Sequence, residues 1–229
     1  MGAESTTEEV RQRYVDAMGL ELGELHFTLW NECVLLHWKW EEYVALFGTK
    51  PERITLLNQA APSFFHIIQD TLWENILLHI ARLIDPPQSV RKNNLTIRRL
   101  PSLVHKELSE DFELLLQGCV AKCKFVRDWR NRWIAHRDLS LALGHPKAAP
   151  LTEASRQAVK DSLSSIAELL NAVELHYCGS TVVYDLHPPG NAEALLYVLW
   201  YGIHAEEDQL ELMKSRQFSM KDLKRPAKL

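Results

Sequence analysis

Apolar residues recur about every four positions along most of this 229-residue chain, and this spacing constrains the fold more than any other feature. The stretch from 21 to 47 shows it clearly, with Leu25, Leu29, Val34, Trp38, Tyr43 and Phe47. An α-helix places residues spaced in this way on one face, whereas a strand exposes alternate residues to opposite faces. The pattern therefore predicts an all-α protein whose helices pack through their apolar faces.

Prolines, glycines and polar capping residues divide the periodic stretches into separate helices. We expect helices over about 5–19, 21–47, 51–85, 96–104, 109–135, 152–177 and 191–213, with loops over 88–94 and 141–150. Ser5 with Glu8 fits a capping box, and Ser109 is the expected N-cap of the long helix. The first two segments could also form one bent helix, and Pro62 is expected to split the third. Residues 181–184 are the only strand-like run, and because one strand alone is unstable we expect either an extended segment or half of a small hairpin.

Composition narrows the class of protein. The chain is 46% apolar and 24% charged, which is typical of a packed globular protein. Its net charge of −4 argues against a broad basic surface for nucleic acid but leaves room for a local basic site. No apolar run is long enough to span a bilayer and the first residues are polar, so we expect a cytoplasmic protein with no membrane partner.

Cysteine and histidine spacing indicates no metal site. The four cysteines form no CxxC pair, and the ten histidines include neither HxxxH nor HExxH. Two of the cysteines, Cys119 and Cys123, are four residues apart on a predicted helix and are interpreted as core thiols. We therefore expect neither a bound metal nor a cofactor.

The most informative segment is the expected helix that ends near Ala135. Its apolar stripe consists of Phe112, Leu115, Leu116, Cys119, Cys123, Val126, Trp133 and Ile134. Arg130 falls near the centre of this stripe, where a guanidinium requires an acidic partner, an interface or a bound anion. Lys124, Arg127 and Asp128 lie on the other side and are interpreted as ordinary solvated residues.

His136 follows Arg130 by six residues, which places it about 120° away on an ideal helix. The two side chains could meet at one ligand if the helix ends near Ala135, or if a second copy of the chain supplies one of them. Trp129 and Trp133 lie on the row of His136 and would give it an aromatic wall, and aromatic residues of this kind are enriched at interfaces.

A partly acidic row on the helix before Asp85 is the expected source of a partner for Arg130. Asp70, Glu74, Ala81 and Asp85 share one side of that helix. We expect Glu74 or Asp85 to lie near the motif helix and to pair with Arg82 or Arg130.

The run from Arg130 through Asn131 to His136 resembles the R-N-x4-H form of the motif of the HEPN superfamily. Three further segments resemble its abortive-infection U-type, or AbiU-like, branch: residues 77–85 with the two prolines that follow, residues 94–97, and residues 134–138. The resemblance implies a HEPN-like antiparallel helical bundle. Its core would cover about 50–178, with flanking helices at 5–48 and 190–213 in a single domain over 1–229.

The resemblance also implies a function, a metal-independent endoribonuclease of a defence or toxin–antitoxin system. RNA would be the substrate, the chain would form a homodimer, and a second protein of the same system would be a partner. Arg130 would bind the scissile phosphate, His136 would transfer protons, and Asn131 would orient the phosphate or the helix end. The supporting residues would be Glu74, Arg82, Asp85 and Asp138, of which Asp138 either holds the imidazole or is a solvated loop residue.

The alternative is a non-catalytic helical module that binds a protein or RNA within a defence system. Arg130 would then be a structural ion-pair partner, and His136 a cation favoured at the carboxyl end of a helix.

Overall fold

The structure, a computed structural model, describes residues 6–48, 50–185 and 191–215. About three quarters of these residues are helical and almost none form strands, which confirms the all-α prediction. The α-helices are α1 (Thr7–Met18), α2 (Leu20–Phe47), α3 (Pro51–Ala60), α4 (Pro62–Leu83), α5 (Lys106–Lys122), α6 (Lys124–Trp129), α7 (Leu139–Ala142), α8 (Arg156–Cys178) and α9 (Asn191–Lys214). A 3₁₀-helix spans Ile97–Ser102, and one π-helical turn spans Arg130–Ile134.

The first helix begins one residue later than the predicted Ser5–Glu8 capping box requires. Thr6 Oγ1 accepts from the Glu9 backbone N–H, and the Glu9 carboxylate accepts from the Thr6 N–H. Ser5 lies outside the described residues, and both pairs fit the same S/T-x-x-E pattern, so the sequence could not separate them. The alternative of one bent helix is wrong, because Gly19 adopts a left-handed φ of 79° between α1 and α2.

Close packing of α1 against α2 depends on Gly23. A Cβ at this position would lie 2.7 Å from the backbone of Tyr14 and Val15. The absence of a side chain therefore allows the two helices to approach each other directly.

The prolines act as predicted in α3 and α4. Pro51 occupies the first turn of α3, where its missing N–H costs no hydrogen bond, and Pro62 separates α3 from α4. The loop predicted over 88–94 is instead a small hairpin of β1 (Gln88–Ser89) and β2 (Lys92–Asn93). Its two turn residues, Val90 and Arg91, both have positive φ, as a two-residue hairpin turn requires.

The strand-like run at 181–184 forms no strand. Its backbone is held by one side chain, because the Asn171 amide accepts from the Val182 N–H at 2.8 Å and donates to its carbonyl at 2.9 Å. A side chain thus supplies the pairing that a neighbouring strand would otherwise give.

The long helix predicted over 109–135 begins earlier and is interrupted. It starts at Lys106 rather than at an N-cap Ser109, breaks at Cys123, and ends in the π-helical turn. The helix predicted from 152 begins at Arg156, where Ser155 accepts from the Ala158 N–H. Gly179 ends α8 at a φ of 65°, as predicted.

A buried acid–base pair connects α2 with α8. His26 Nε2 lies 3.0 Å from Glu174 Oε2, and both side chains are excluded from solvent. Ser180 Oγ donates to the other carboxylate oxygen at 3.2 Å. Burial alone would raise the pKa of Glu174, but hydrogen bonds from His26 and Tyr14 lower it overall, so this carboxyl remains ionised.

The chain divides into two compact units. Of the described residues, the first contains 6–40 and 72–185, and the second contains 41–48, 50–71 and 191–215. In the second unit, the described core consists of Leu46, Leu57, Phe65, Ala192 and Leu196. Every predicted site residue belongs to the first unit. Within the described ranges, no helix combines the length and apolarity needed to cross a membrane.

Candidate functional site

Arg130 is paired with Asp85 but is not sealed from solvent. Its Nη1 donates to Asp85 Oδ1 at 2.7 Å. The Arg130 side chain is 36% exposed, whereas that of Asp85 is 12% exposed. The pairing expected from the sequence is therefore present, and part of the Arg130 side chain is still exposed to solvent.

Two of the segments that carry the resemblance hold each other in place beside this pair. Thr96 Oγ1 lies 2.8 Å from the carbonyl oxygens of Leu83 and Asp85. Asn94 donates from its side-chain amide to the Pro86 carbonyl at 2.8 Å. These contacts fix the end of α4, and with it the position of the Asp85 carboxylate.

Glu74 contacts the motif helix through an indole rather than through an arginine. Its Oε1 accepts from Trp133 Nε1 at 2.8 Å, and the Arg137 guanidinium stacks over the Trp133 ring at 3.7 Å from its centroid. Trp129 donates to the Thr152 carbonyl at 2.8 Å. Both indole N–H groups are thus used within the protomer.

Arg132 ties the motif helix to the loop that follows it. Its guanidinium contacts Asp128 at 3.3 Å and Asp138 at 3.2 Å, and it also donates to the carbonyls of Ala149 and Pro150. The interpretation of Asp128 as a solvated residue is wrong, because it also accepts from the Thr152 N–H at 2.7 Å. A distant loop residue supplies these contacts, which helical spacing cannot reveal.

Asp138 caps α7 and does not contact His136. Its carboxylate accepts from the Leu141 N–H at 3.1 Å as well as from Arg132. The Leu141 N–H and then Arg132 lower the pKa of this carboxyl. Asp138 is therefore an ionised residue that organises the loop.

His136 and Asn131 are exposed at the end of the motif helix. The helix ends at Ile134. An end near this position is one of the two conditions under which Arg130 and His136 could bind the same ligand. Neither side chain takes part in a hydrogen bond or ion pair with the described residues. The imidazole is thus available for proton transfer, and within the described part of the chain it forms no hydrogen bond with Arg130.

Arg82 lines a cavity of about 300 Å³ together with Asp85, Glu32 and His79. His79 Nε2 lies 2.7 Å from Glu32 Oε2. On the other side of the ring, His79 Nδ1 lies 3.4 Å from Lys39 Nζ. Burial and the Lys39 charge lower the pKa of His79 more than Glu32 raises it, so this imidazole is neutral near pH 7. Arg82 itself is exposed and does not pair with Asp85 or Glu74.

Two larger open cavities lie on either side of Arg132. One, of about 760 Å³, is lined by the cations Lys122, Lys124, Arg127 and Arg132 together with Asn131. The other, of about 740 Å³, is lined by Arg132, His145 and Lys147 among others. The sequence analysis interpreted Lys124, Arg127 and Asp128 as ordinary solvated residues and so did not identify this cluster of cations. A signal for this cluster is present in the sequence. Positions 122 to 147 contain seven Lys or Arg but only two Asp, although the chain as a whole is acidic.

A comparison with protein families gives a match that covers most of the chain. The family model HEPN_AbiU2, described as AbiU2, matches residues 20–197. No curated protein and no solved structure matches the chain. The matched segment contains Glu74, Arg82, Asp85, Arg130, Asn131, His136 and Asp138.

Proposed function

Because the chain belongs to the AbiU2 family of HEPN proteins, we propose that it is a metal-independent endoribonuclease of a cytoplasmic defence or toxin–antitoxin system. The observation that carries this proposal is the arrangement at the end of the motif helix. There Arg130 is anchored by Asp85 yet partly exposed, and His136 is exposed beyond the π-helical turn.

RNA contains its own nucleophile, so the protein needs only charged groups and proton transfer. The 2′-oxygen attacks the adjacent phosphorus while the bond from phosphorus to the 5′-oxygen breaks, leaving a 2′,3′-cyclic phosphate and a 5′-hydroxyl. One proton leaves the 2′-hydroxyl and another reaches the departing 5′-oxygen. His136 carries out one of these transfers, since an imidazole nitrogen can accept or donate a proton.

Arg130 binds the scissile phosphate and stabilises the charge that develops on its oxygens. Asp85 holds one side of the guanidinium and so fixes its orientation before the substrate binds. The π-helical turn supports a functional role for this position, because such turns are frequent at functional sites. Asn131 is exposed beside Arg130 and would contact the same phosphate.

A homodimer would supply the second proton-transfer group. Cleavage needs an acid and a base, and each protomer offers one free imidazole at this helix end. We propose a two-fold dimer in which the two helix ends face one another, so that two His136 side chains share one composite site. Sedimentation showing a monomer at micromolar concentration would contradict the dimer and the composite site together.

The experiment is RNA cleavage in excess EDTA with identification of the product ends. We expect single-stranded RNA to be cut, with 2′,3′-cyclic phosphate or 3′-phosphate ends, and His136→Ala to be inactive. His66→Ala is the matched control, because His66 is also exposed and lies in the second unit. Cleavage only on addition of a divalent metal ion, or undiminished cleavage by His136→Ala, would contradict the mechanism.

The second candidate is a non-catalytic module that binds RNA or a partner protein of the defence system. The Asp85–Arg130 ion pair favours it, since a guanidinium with an acidic partner needs no phosphate. Expression in cells separates the two functions. A ribonuclease toxin should slow growth as the wild type and not as His136→Ala, whereas a binding module should give the same growth for both.

A further inference from the structure

The two cavities that meet at Arg132 carry a strong local excess of positive charge. Five Lys or Arg side chains line them, namely Lys122, Lys124, Arg127, Arg132 and Lys147, against only two acidic residues. His145 adds a further nitrogen donor. The whole chain carries a net charge of −4, so this concentration of cations is not a sample of the average surface.

The two acidic residues do not neutralise the exposed cations. Asp128 and Asp138 both pair with Arg132, and each also accepts a backbone N–H, from Thr152 and Leu141 respectively. Lys122, Lys124, Arg127 and Lys147 are exposed and form no ion pair with the described residues. Their charges are therefore available to an external anion.

The cluster has a defined position and a defined end. Asn131, adjacent to Arg130, lines the same cavity as Lys124 and Arg127. Beyond Lys122 a further cavity brings in Asp111 and Glu168, so the positive surface stops there. Asn131 connects the cluster with the proposed catalytic site, since Arg130 itself lines neither cavity.

We propose that Lys122, Lys124, Arg127 and Lys147 form a track that binds the phosphate backbone of an RNA strand and leads it to Arg130. This rests on RNA being the substrate, as proposed above. The track reads backbone rather than bases, because Phe125, the aromatic side chain that lines the cavity of Lys124 and Arg127, is buried. Binding should therefore be independent of sequence and strongly dependent on salt.

The test measures binding without cleavage. A fluorescein-labelled single-stranded 20-mer RNA is titrated with the His136→Ala protein in EDTA, with fluorescence anisotropy at several salt concentrations. Lys124→Glu with Arg127→Glu should weaken binding about tenfold or more at low salt. The slope of log affinity against log salt should fall by about 1.4, at about 0.7 for each lost phosphate contact on single strands.

Lys106→Glu with Lys160→Glu is the control, since it changes the net charge equally at exposed lysines outside both cavities. Thermal melting followed by circular dichroism checks that each variant folds. If the variant with Lys124→Glu and Arg127→Glu does not fold, Lys124→Gln with Arg127→Gln replaces it. Equal weakening by the control pair, an unchanged salt slope, or competition by polyglutamate as effective as by RNA would overturn the track. RNA that the wild-type protein binds tightly but leaves uncleaved would contradict the proposed activity and leave the track in place.

Discussion

At the scale of the residue, Arg130 combines a fixed partner with partial exposure. A fully buried guanidinium would lose several kcal/mol on losing its partner, whereas a fully exposed pair contributes little. With 36% of its side chain exposed and one charge-assisted hydrogen bond to Asp85, Arg130 lies between these cases. Its role in stability and its proposed role in catalysis can therefore be separated by measurement.

We predict that Arg130→Ala lowers the free energy of unfolding by about 1–2 kcal/mol and abolishes RNA cleavage. Asp85→Asn, which keeps the shape of the partner, should lower stability less and retain part of the activity. Urea unfolding monitored by tryptophan fluorescence gives the first quantity. A loss of about 3–5 kcal/mol for Arg130→Ala would indicate a sealed structural ion pair and contradict the catalytic assignment.

Glu174 is the opposite case, a carboxylate hidden from solvent with a histidine beside it. Replacing it with alanine leaves His26 buried and unpaired, so we predict a loss of about 3 kcal/mol. Glu168→Ala on the same helix is the control, because Glu168 is exposed and, among the described residues, its one hydrogen bond is from Ser164. A difference of less than 1 kcal/mol between the two variants would show that the pair does not stabilise the fold.

At the scale of the element, helix positions were largely predictable because apolar spacing and prolines act locally. Pro51, Pro62 and Gly179 mark real helix ends for reasons that their own backbone chemistry dictates. The π-helical turn at Arg130 was not predictable, since a five-residue turn changes hydrogen bonding without a sequence signal of its own. The contacts of Arg132 were missed for a different reason, because its partners at 149 and 150 lie in a loop with no regular spacing.

The candidate site likewise contains some contacts that the sequence predicted and others that it did not. The proximity of Asp85 to Arg130 followed from two helical patterns and is present in the structure. The uses of Glu74 and Asp138 did not follow, because an indole N–H and a helix cap competed for these carboxylates. Their roles depended on which neighbour each oxygen met, and sequence spacing does not determine this.

The loop after the motif helix should respond to acid. The folded protein lowers the pKa of Asp138 below its ordinary value of 3.8, so the unfolded chain binds a proton more readily than the folded one. The stabilisation is then fully present well above pH 3.8 and is lost as the pH falls through the folded value. The pKa of Asp128 is also lowered: burial would raise it, but hydrogen bonds from Thr152 and Arg132 outweigh that effect, so it follows the same sign.

We predict that amide protection across residues 138–152 decreases when the pH falls below 3.8, before the buried core of α8 exchanges. Asp138→Asn should show low protection of this loop already at pH 6, because its Arg132 contact is weakened and the charge at the α7 cap is absent. Hydrogen exchange by mass spectrometry, corrected for the pH dependence of the chemical rate, measures both. Protection of the loop that is independent of pH would exclude the two carboxylates as its anchors.

At the scale of the whole molecule, the core of the second unit joins segments that are far apart in the sequence. Leu196 is 7% exposed within that core, whereas its neighbour Leu195 is 41% exposed. We predict that Leu196→Ala costs about 2–4 kcal/mol and accelerates hydrogen exchange over 41–71, while Leu195→Ala costs less than about 1 kcal/mol. Equal effects of the two substitutions would contradict this core.

Because the second unit is built from two segments that are far apart in the sequence, the order of synthesis on the ribosome affects its core. Residues 41–71 are made early, but their core partners Ala192 and Leu196 follow only after the chain from 72 to 190 has been translated. At about 5–20 residues per second, that interval lasts roughly 6–24 s. During this time Leu46, Leu57 and Phe65 lack their partners from α9, which makes the nascent chain a substrate for chaperones that bind exposed apolar segments. Synonymous codons that slow translation between 72 and 190 should therefore increase aggregation of a protein whose amino-acid sequence is unchanged.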